Sequence, residues 1–501
     1  MERLLSTKIA RRILLLNWLY GAEDWITAER LATKLRCSVK TVFKDCDYLE
    51  SHWEDHLTID VSKKKGLKMS LSSNHSVHDI YADILKGSDA FTLLEAVFFH
   101  PGEDSEALEK RCYMSSSTLY RLYRKINIPL KERSLKLERN PFALSGNSEQ
   151  DIRYFFSYYF VEVYGVHRWP FKLEKEKILN IVQKLNNDFQ LYLSDIRVIH
   201  LAFSIAVSLT RIEQGYMSQY ESPDTTVFRT SAGAVTSMEY RNELSPFIDD
   251  LALSLPEDWY EDFSQTVFWW LPCRKTDEGK QVLHAVEFLI SEIQSSLNLS
   301  IDAQSHEKIT KVIQNIYCLH QMYPYKKHII YSRFFYSGKS IKQNFILFSA
   351  FTSKALGQLE KESGFPWKSM YLNEILHCLM LYWQELPAQL FKRRGKVSIT
   401  VLSDLGKEHA EVMSSIIKMV FTNNVVVTTQ HASLLNTLSK NSVEKSDLYV
   451  TNHRIQYLAG ERVVVVEDIL SQRNIIELRK IIEQNQLRAF RRAKRQAMIS
   501  N

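Results

Sequence analysis

Along the first 140 residues apolar positions recur every three or four places, in short blocks separated by capping residues and tight turns, a pattern that predicts short amphipathic helices. TKIARRILLLNWLY, residues 7–20, puts Ile9, Ile13, Leu16 and Leu19 on one face. In WITAERLATKLRC, Thr27 reads as an N-cap with Arg30 at the third helical position, and Leu31, Ala32 and Leu35 face inward. The pattern breaks at Arg36 and Cys37, then Ser38 caps a second helix to about Trp53, buried through Val42, Cys46 and Leu49. A helix that stops and restarts across a sharp turn lets the first segment brace the second, whose free N-terminal end can enter a major groove. Ser38, Lys40, Thr41 and Lys44 face outward in this register, hydroxyls and cations suited to phosphates and base edges. LTIDVSKKKGLKMSL then alternates apolar and polar residues on either side of Lys65 and Gly66, predicting a β-hairpin wing with Lys63, Lys64 and Lys65 at its tip. Any three-helix packing unit shares part of this grammar, so a plain interaction module stays open beside a nucleic-acid head.

The grammar repeats. In SEALEKRCYMSSSTLYRLYRKINIPL, Ala107, Leu108 and Cys112 belong to one helix, Tyr113 and Met114 to the break, and a second helix starts at Ser116. Ser115, Ser117, Thr118, Arg121 and Arg124 point outward while Leu119, Leu122 and Ile126 pack inside, and LKERSLKLERNPFALSG reads as a second wing. Residues 105–140 carry nine Lys/Arg against four acids, so this element alone nearly matches the formal charge of +6 for the whole chain. From Ser148 to about Leu390 the periodicity is helical with aromatic-rich faces, as in DIRYFFSYYFVEVY, interrupted by a polar stretch over 214–262 that reads as an excursion or domain junction. His200, His320 and His377 sit on strongly apolar helices, where imidazole is usually a satisfied core residue. After KRRGK, the runs VSITVLSD, NVVVTT, DLYVTN and RVVVVED alternate with helical segments and imply a small parallel sheet flanked by helices. The basic end LRAFRRAKRQ, with Arg488, Arg491, Arg492, Lys494 and Arg495, reads as a solvated helix or a secondary phosphate contact.

At 501 residues the chain needs several hydrophobic cores, and 45% hydrophobic with 24% charged residues is ordinary for a globular protein. A net charge of +6 permits an anionic partner without requiring one. Cysteines at 37, 46, 112, 273, 318 and 378 form no metal-binding spacing and imply reduced thiols. No secretory signal, membrane span, metal site, cofactor box or paired-carboxylate site is legible, which points to a cytoplasmic protein that is not an enzyme.

The order of these parts, the junction FALSGNSEQDIRYFF and the segment HLAFSIAVSLTRIEQG resemble the Mga/AtxA family of Gram-positive virulence transcriptional regulators, over nearly the whole chain. The resemblance implies a mainly α, multidomain fold: winged helix-turn-helix domains at 1–72 and 73–147, all-α phosphotransferase-system regulation domains (PRDs) at 148–275 and 276–392, and an α/β enzyme-IIB-like domain at 393–501. It implies a regulator, an activator by type, that binds double-stranded DNA. The homodimer would form through the C-terminal domain and the PRDs, and activity would be tuned by phosphoryl transfer from the carrier HPr. His200 and His377 match the acceptor positions by place, with His320 an alternative. The loop after the first strand of the C-terminal domain, LSDLGKEHA, lacks the cysteine of a working enzyme IIB. That argues against a phosphotransferase-relay enzyme, and the helix-turn-helix start argues against a PRD-type RNA antiterminator.

Overall fold

The computed structural model describes residues 4–22, 24–191, 193–218, 227–230, 233–268, 277–392, 396–422, 425–431, 445–455 and 462–499. Two compact units emerge, Met1–Val286 with Glu307–Ser337, and Glu287–His306 with Gly338–Asn501. The first therefore takes in residues 307–337 from the stretch expected to form the second helical domain.

The first unit opens with α1 (Thr7–Tyr20), α2 (Ala28–Leu35) and α3 (Val39–His52), followed by β1 (Leu57–Ser62) and β2 (Gly66–Leu71). The caps form as the sequence requires: Thr27 accepts from the Arg30 N–H, Ser38 from the Thr41 N–H, and Arg36 ends α2 in the left-handed region at φ 51°. β1 and β2 pair antiparallel from Leu57↔Leu71 to Ser62↔Gly66, leaving the three lysines as the turn. A bridge between Ile26 and Leu67 fastens the wing to the start of α2. Gly66, at φ +100°, is indispensable there, because a Cβ would lie 2.1 Å from the Ile26 carbonyl oxygen.

The second copy follows as α4 (Val77–Lys86), α5 (Asp89–Phe99), α6 (Ser105–Cys112), α7 (Ser116–Lys131), β3 (Leu135–Leu137) and β4 (Leu144–Gly146). Tyr113 repeats the left-handed turn at φ 53°, and Ser115 repeats the cap on the Thr118 N–H.

A helical layer comes next: α8 (Glu149–Tyr164), α9 (Lys175–Phe189) and α10 (Asp195–Glu213). The polar stretch over 214–262 is more regular than its composition suggested. It holds the hairpin β5 (Val227–Thr230) and β6 (Gly233–Thr236), then α11 (Ser237–Asp249), whose start is fixed by a Thr236/Glu239 capping box, and the beginning of α12 (Trp259–Phe268). One apolar cluster runs through the unit from Leu4 to Ile329, and within it Phe156 and Phe160 of α8 pack their rings at an angle against Phe98. No described helix is long and apolar enough to cross a membrane.

The remaining helices are α13 (Asp277–Leu297), α14 (Ala303–Met322), α15 (Arg333–Asn344), α16 (Ile346–Ser363), α17 (Leu372–Tyr382) and α18 (Leu386–Lys392). The second unit ends in β7 (Val397–Ser403), α19 (Lys407–Phe421), β8 (Val425–His431), β9 (Leu448–Thr451), β10 (Val463–Val465) and α20 (Gln472–Ile499). Its four strands form a parallel sheet in the order β10-β9-β7-β8, with a core of Ile399, Val401, Met413, Ile417 and Val450. The expectation of six reduced thiols is corrected: Cys37, Cys46, Cys112 and Cys378 take part in no disulfide, but Cys318 is disulfide-bonded, and Cys273 lies outside the described residues.

Candidate nucleic-acid interface and histidine sites

In the first head Ser38, Lys40 and Lys44 are exposed and Thr41 half-buried, and Lys63, Lys64 and Lys65 are exposed on the wing. The two hydroxyls are partly committed, since Ser38 Oγ and Thr41 Oγ1 lie 2.9 Å apart within the cap. Lys40 and Lys44 carry no ion pair among the described residues, so they are the available cations of the recognition helix α3. What fixes that helix is a feature the periodicity did not reveal. Asp45, only 2% exposed, receives Arg11 Nε at 2.6 Å and Arg12 Nε at 3.0 Å, locking α1 to α3. Arg12 also lies 3.1 Å from the centre of the Tyr48 ring.

The second head follows the first at one constant spacing. Thr27, Arg36, Ser38, Lys44 and Asp47 correspond to Asp104, Tyr113, Ser115, Arg121 and Arg124. Ser115, Ser117, Arg121 and Arg124 are exposed and Thr118 is half-buried; Ser115 Oγ contacts Ser117 Oγ and Thr118 Oγ1, each at 3.1 Å. The local basic excess is smaller at the surface than in the sequence. Lys110 pairs with Glu106 at 2.7 Å, Arg111 with Glu103 at 2.5 Å and Lys136 with Glu138 at 2.7 Å. Arg133 is buried, donating to Tyr323 Oη at 2.8 Å and to the His328 carbonyl at 2.5 Å. Arg121, Arg124 and Lys131 remain exposed on α7, and Arg139 lies 5.2 Å from the Tyr120 ring.

Both segments that carried the family resemblance converge on a buried ionic cluster. Arg153 of the junction motif binds Asp262 at 2.6 and 2.8 Å, and Arg211 of the His200 segment binds Glu149 at 2.7 Å through two nitrogens. Arg153 also reaches Glu149 at 3.3 Å, so the four residues tie α8, α10 and α12 together.

His200 lies on α10, half-buried, with its ring 4.3 Å from that of Tyr158 and Nε2 3.5 Å from Ser157 Oγ. Burial, then the nearby Arg197 and Lys327 cations, push its pKa down to about 3, leaving a neutral imidazole. Tyr158 is flanked by Tyr323 at 6.5 Å, and Tyr323 stacks on Tyr154 at 5.2 Å. Tyr323 begins a strap, residues 323–331, that runs between the head and the helical layer. Arg133 holds one end, and Tyr325 donates to Ser134 Oγ at 2.6 Å. The Glu162 carboxylate accepts the N–H groups of Ile329, Ile330 (2.8 Å) and Tyr331 (3.1 Å). Tyr331 then stacks on Tyr336 at 5.1 Å, and Tyr336 donates to Asn17 of α1. His320, on α14, has its pKa lowered by burial and then by Lys327, the same cation that acts on His200. His377 is half-buried on α17, in the other unit.

In the C-terminal sheet, the loop after β7 is held by a group that sequence reading missed. Ser403 Oγ and His409 Nδ1 are 2.7 Å apart, His409 Nε2 donates to the Asp468 carbonyl at 2.5 Å, and Asn452 donates to Asp404 and Asp468 at 2.5 and 2.9 Å. These bonds lace together the loops after β7, β9 and β10. The side chains of Arg488, Arg491, Arg492, Lys494 and Arg495 lie outside the described residues.

Residues 6–65 match the family described as the M protein trans-acting positive regulator (MGA) HTH domain, and residues 73–160 match the Mga helix-turn-helix domain. A protein of Streptococcus pneumoniae serotype 4 named as a trans-acting regulator is 25% identical over 491 residues, covering 94% of this chain and 96% of that protein. Two Bacillus anthracis proteins named capsule synthesis positive regulators, AcpB and AcpA, are 28% and 30% identical, each over 42% of this chain and 44% of their own length.

Proposed function

Because the chain belongs to the Mga/AtxA family of transcriptional regulators, we propose that it activates transcription by gripping duplex DNA with both winged heads at once. The observation that carries this reading is the duplicated recognition helix with its exposed cations, Lys40 and Lys44 on α3 and Arg121 and Arg124 on α7. A wing of three exposed lysines accompanies the first copy. Two linked heads bind more tightly than either alone when one duplex can engage both.

Regulation acts through the helical domains, read as PRDs, by phosphoryl transfer from HPr or a related carrier. His200 has the chemistry for it: a neutral imidazole nitrogen is the nucleophilic form, and the cations Arg197 and Lys327 beside it favour a dianionic product. The strap supplies a route from His200 to the second head, since Tyr323 neighbours Tyr158 at one side and binds Arg133 at the other. His377 is the corresponding acceptor in the second helical domain, with His320 the alternative. The C-terminal sheet, read as enzyme-IIB-like without its cysteine, serves self-association into a dimer. Val412 and Met419 on α19, Leu405 in the loop before it and Ile469 in the loop after β10 are exposed apolar side chains suited to such a contact.

The test is binding of the full-length chain to duplex DNA over a range of KCl concentrations. The combined substitutions K40A/T41A/K44A, and separately R121A/R124A, each weaken binding and flatten its salt dependence, by about 0.9 in log–log slope per lost phosphate contact. Two variants with wild-type affinity and slope would remove the heads from the mechanism.

A further inference from the structure

The first head carries a second basic feature, on the side of its recognition helix that faces α1. Between α1 and α3 lies an open groove of about 530 Å³ whose walls include Lys8, Thr41 and Lys44. Its floor is the Arg11–Arg12–Asp45 cluster, in which two guanidiniums share one buried carboxylate, so one positive charge is left over beneath the groove. Lys8 is exposed, 5.9 Å from the Tyr48 ring, and neither Lys8 nor Lys44 has an ion pair among the described residues. Asp47 is the other carboxylate lining the groove, and four cations against two acids leave it net positive.

Resting on the duplex-binding reading, we propose that this groove is a phosphodiester grip, in which Lys8 from α1 and Lys44 from α3 hold one backbone phosphate above the Arg11–Arg12 floor. The ligand is the same duplex that the recognition helix reads. Thr41 and Lys44 belong both to the groove and to the outward face of α3, so a strand bordering the major groove passes over both. A buried cationic floor also favours an anion more than an isolated surface lysine does, because less water screens it.

The recognition helix of the second head lacks both acids of that groove. At the same constant spacing along the recognition helix, the buried Leu122 stands where the first head has Asp45, and Arg124 stands where it has Asp47. The two heads therefore hold phosphate differently: the first between α1 and α3, the second along the exposed side of α7.

The experiment uses the full-length chain, a duplex selected by it from fragmented genomic DNA, and an unrelated duplex of equal length. Lys8→Ala lowers the salt slope on both duplexes by about one unit, and Lys8→Glu weakens binding further. Because phosphate carries no sequence information, the preference for the selected duplex stays within about threefold of wild type. Both Lys8 variants binding with the wild-type slope, while K40A/T41A/K44A loses affinity, would overturn the groove and leave the head reading intact. Wild-type chain that binds neither duplex would overturn both. A Lys8→Ala variant that loses the preference between duplexes, at an unchanged slope, would also overturn the grip.

Discussion

Gly66→Ala is the sharpest perturbation of the first wing. At φ +100° an added methyl strains the backbone by about 1–2 kcal/mol, on the scale of other left-handed conformations. It would also stand 2.1 Å from the Ile26 carbonyl oxygen and 2.6 Å from the Thr27 Cα, both backbone atoms that cannot rotate away. Relieving that clash breaks the pair of hydrogen bonds between Ile26 and Leu67, now 2.9 and 2.8 Å, at about 1 kcal/mol each. The sum is about 3–4 kcal/mol, localised at the junction of wing and α2. Amide hydrogen exchange on the full-length chain reads it directly: the Ile26 and Leu67 amides should exchange at least about 100-fold faster, since about 1.4 kcal/mol is a factor of ten. Gly102→Ala is the control. Gly102 has φ +91° but nothing within 4 Å of the new methyl, so only the conformational part, about 1–2 kcal/mol, is lost there. Gly66→Ala exchange within threefold of wild type would refute the reasoning that the bridge fastens the wing.

Two further outcomes are expected. Burial holds His78, His200 and His328 neutral in the fold, with pKa values pushed down to about 4, 3 and 4, so the unfolded chain takes up their protons first as pH drops below 6.5. Glu162, raised by burial to about 7, acts oppositely: its contribution is greatest at low pH and is lost as pH rises through 7. Three groups outweigh one, so denaturant unfolding should show stability falling by roughly a few kcal/mol between pH 6.5 and 4.5; a flat or rising profile would contradict it. For regulation, Tyr158→Ala uncovers His200 and should speed its labelling by the phosphorylated carrier, read by mass spectrometry under conditions that preserve phosphohistidine. Labelling that persists after His200→Ala, or is absent from both chains, would count against that acceptor.

The helix-turn-helix elements were legible almost to the residue, because their boundaries are set locally. Thr27, Ser38 and Ser115 cap helices with their own side chains, and the apolar stripes at Leu31, Val42, Leu119 and Ile126 have one period and one direction. The parallel C-terminal sheet was legible for a similar reason, through runs of β-branched residues. Long-range pairing was not. Nothing near Asp45 in the sequence announces Arg11 and Arg12, and nothing near Arg133 announces that a segment almost two hundred residues later will bury it. Counting charges along residues 105–140 therefore overstated the basic surface, because sequence distance does not say which carboxylate or carbonyl a cation will meet. The polar composition of 214–262 likewise hid α11, whose amphipathic face rests on only a few residues such as Tyr240, Leu244 and Ile248.

In the proposed mode of action both heads touch one duplex together. Hydroxyl-radical footprinting of the full-length chain on its selected duplex tests it most directly. Two separated patches of backbone protection are predicted, with K40A/T41A/K44A erasing one and R121A/R124A the other. A single patch that survives either set of substitutions would contradict the account.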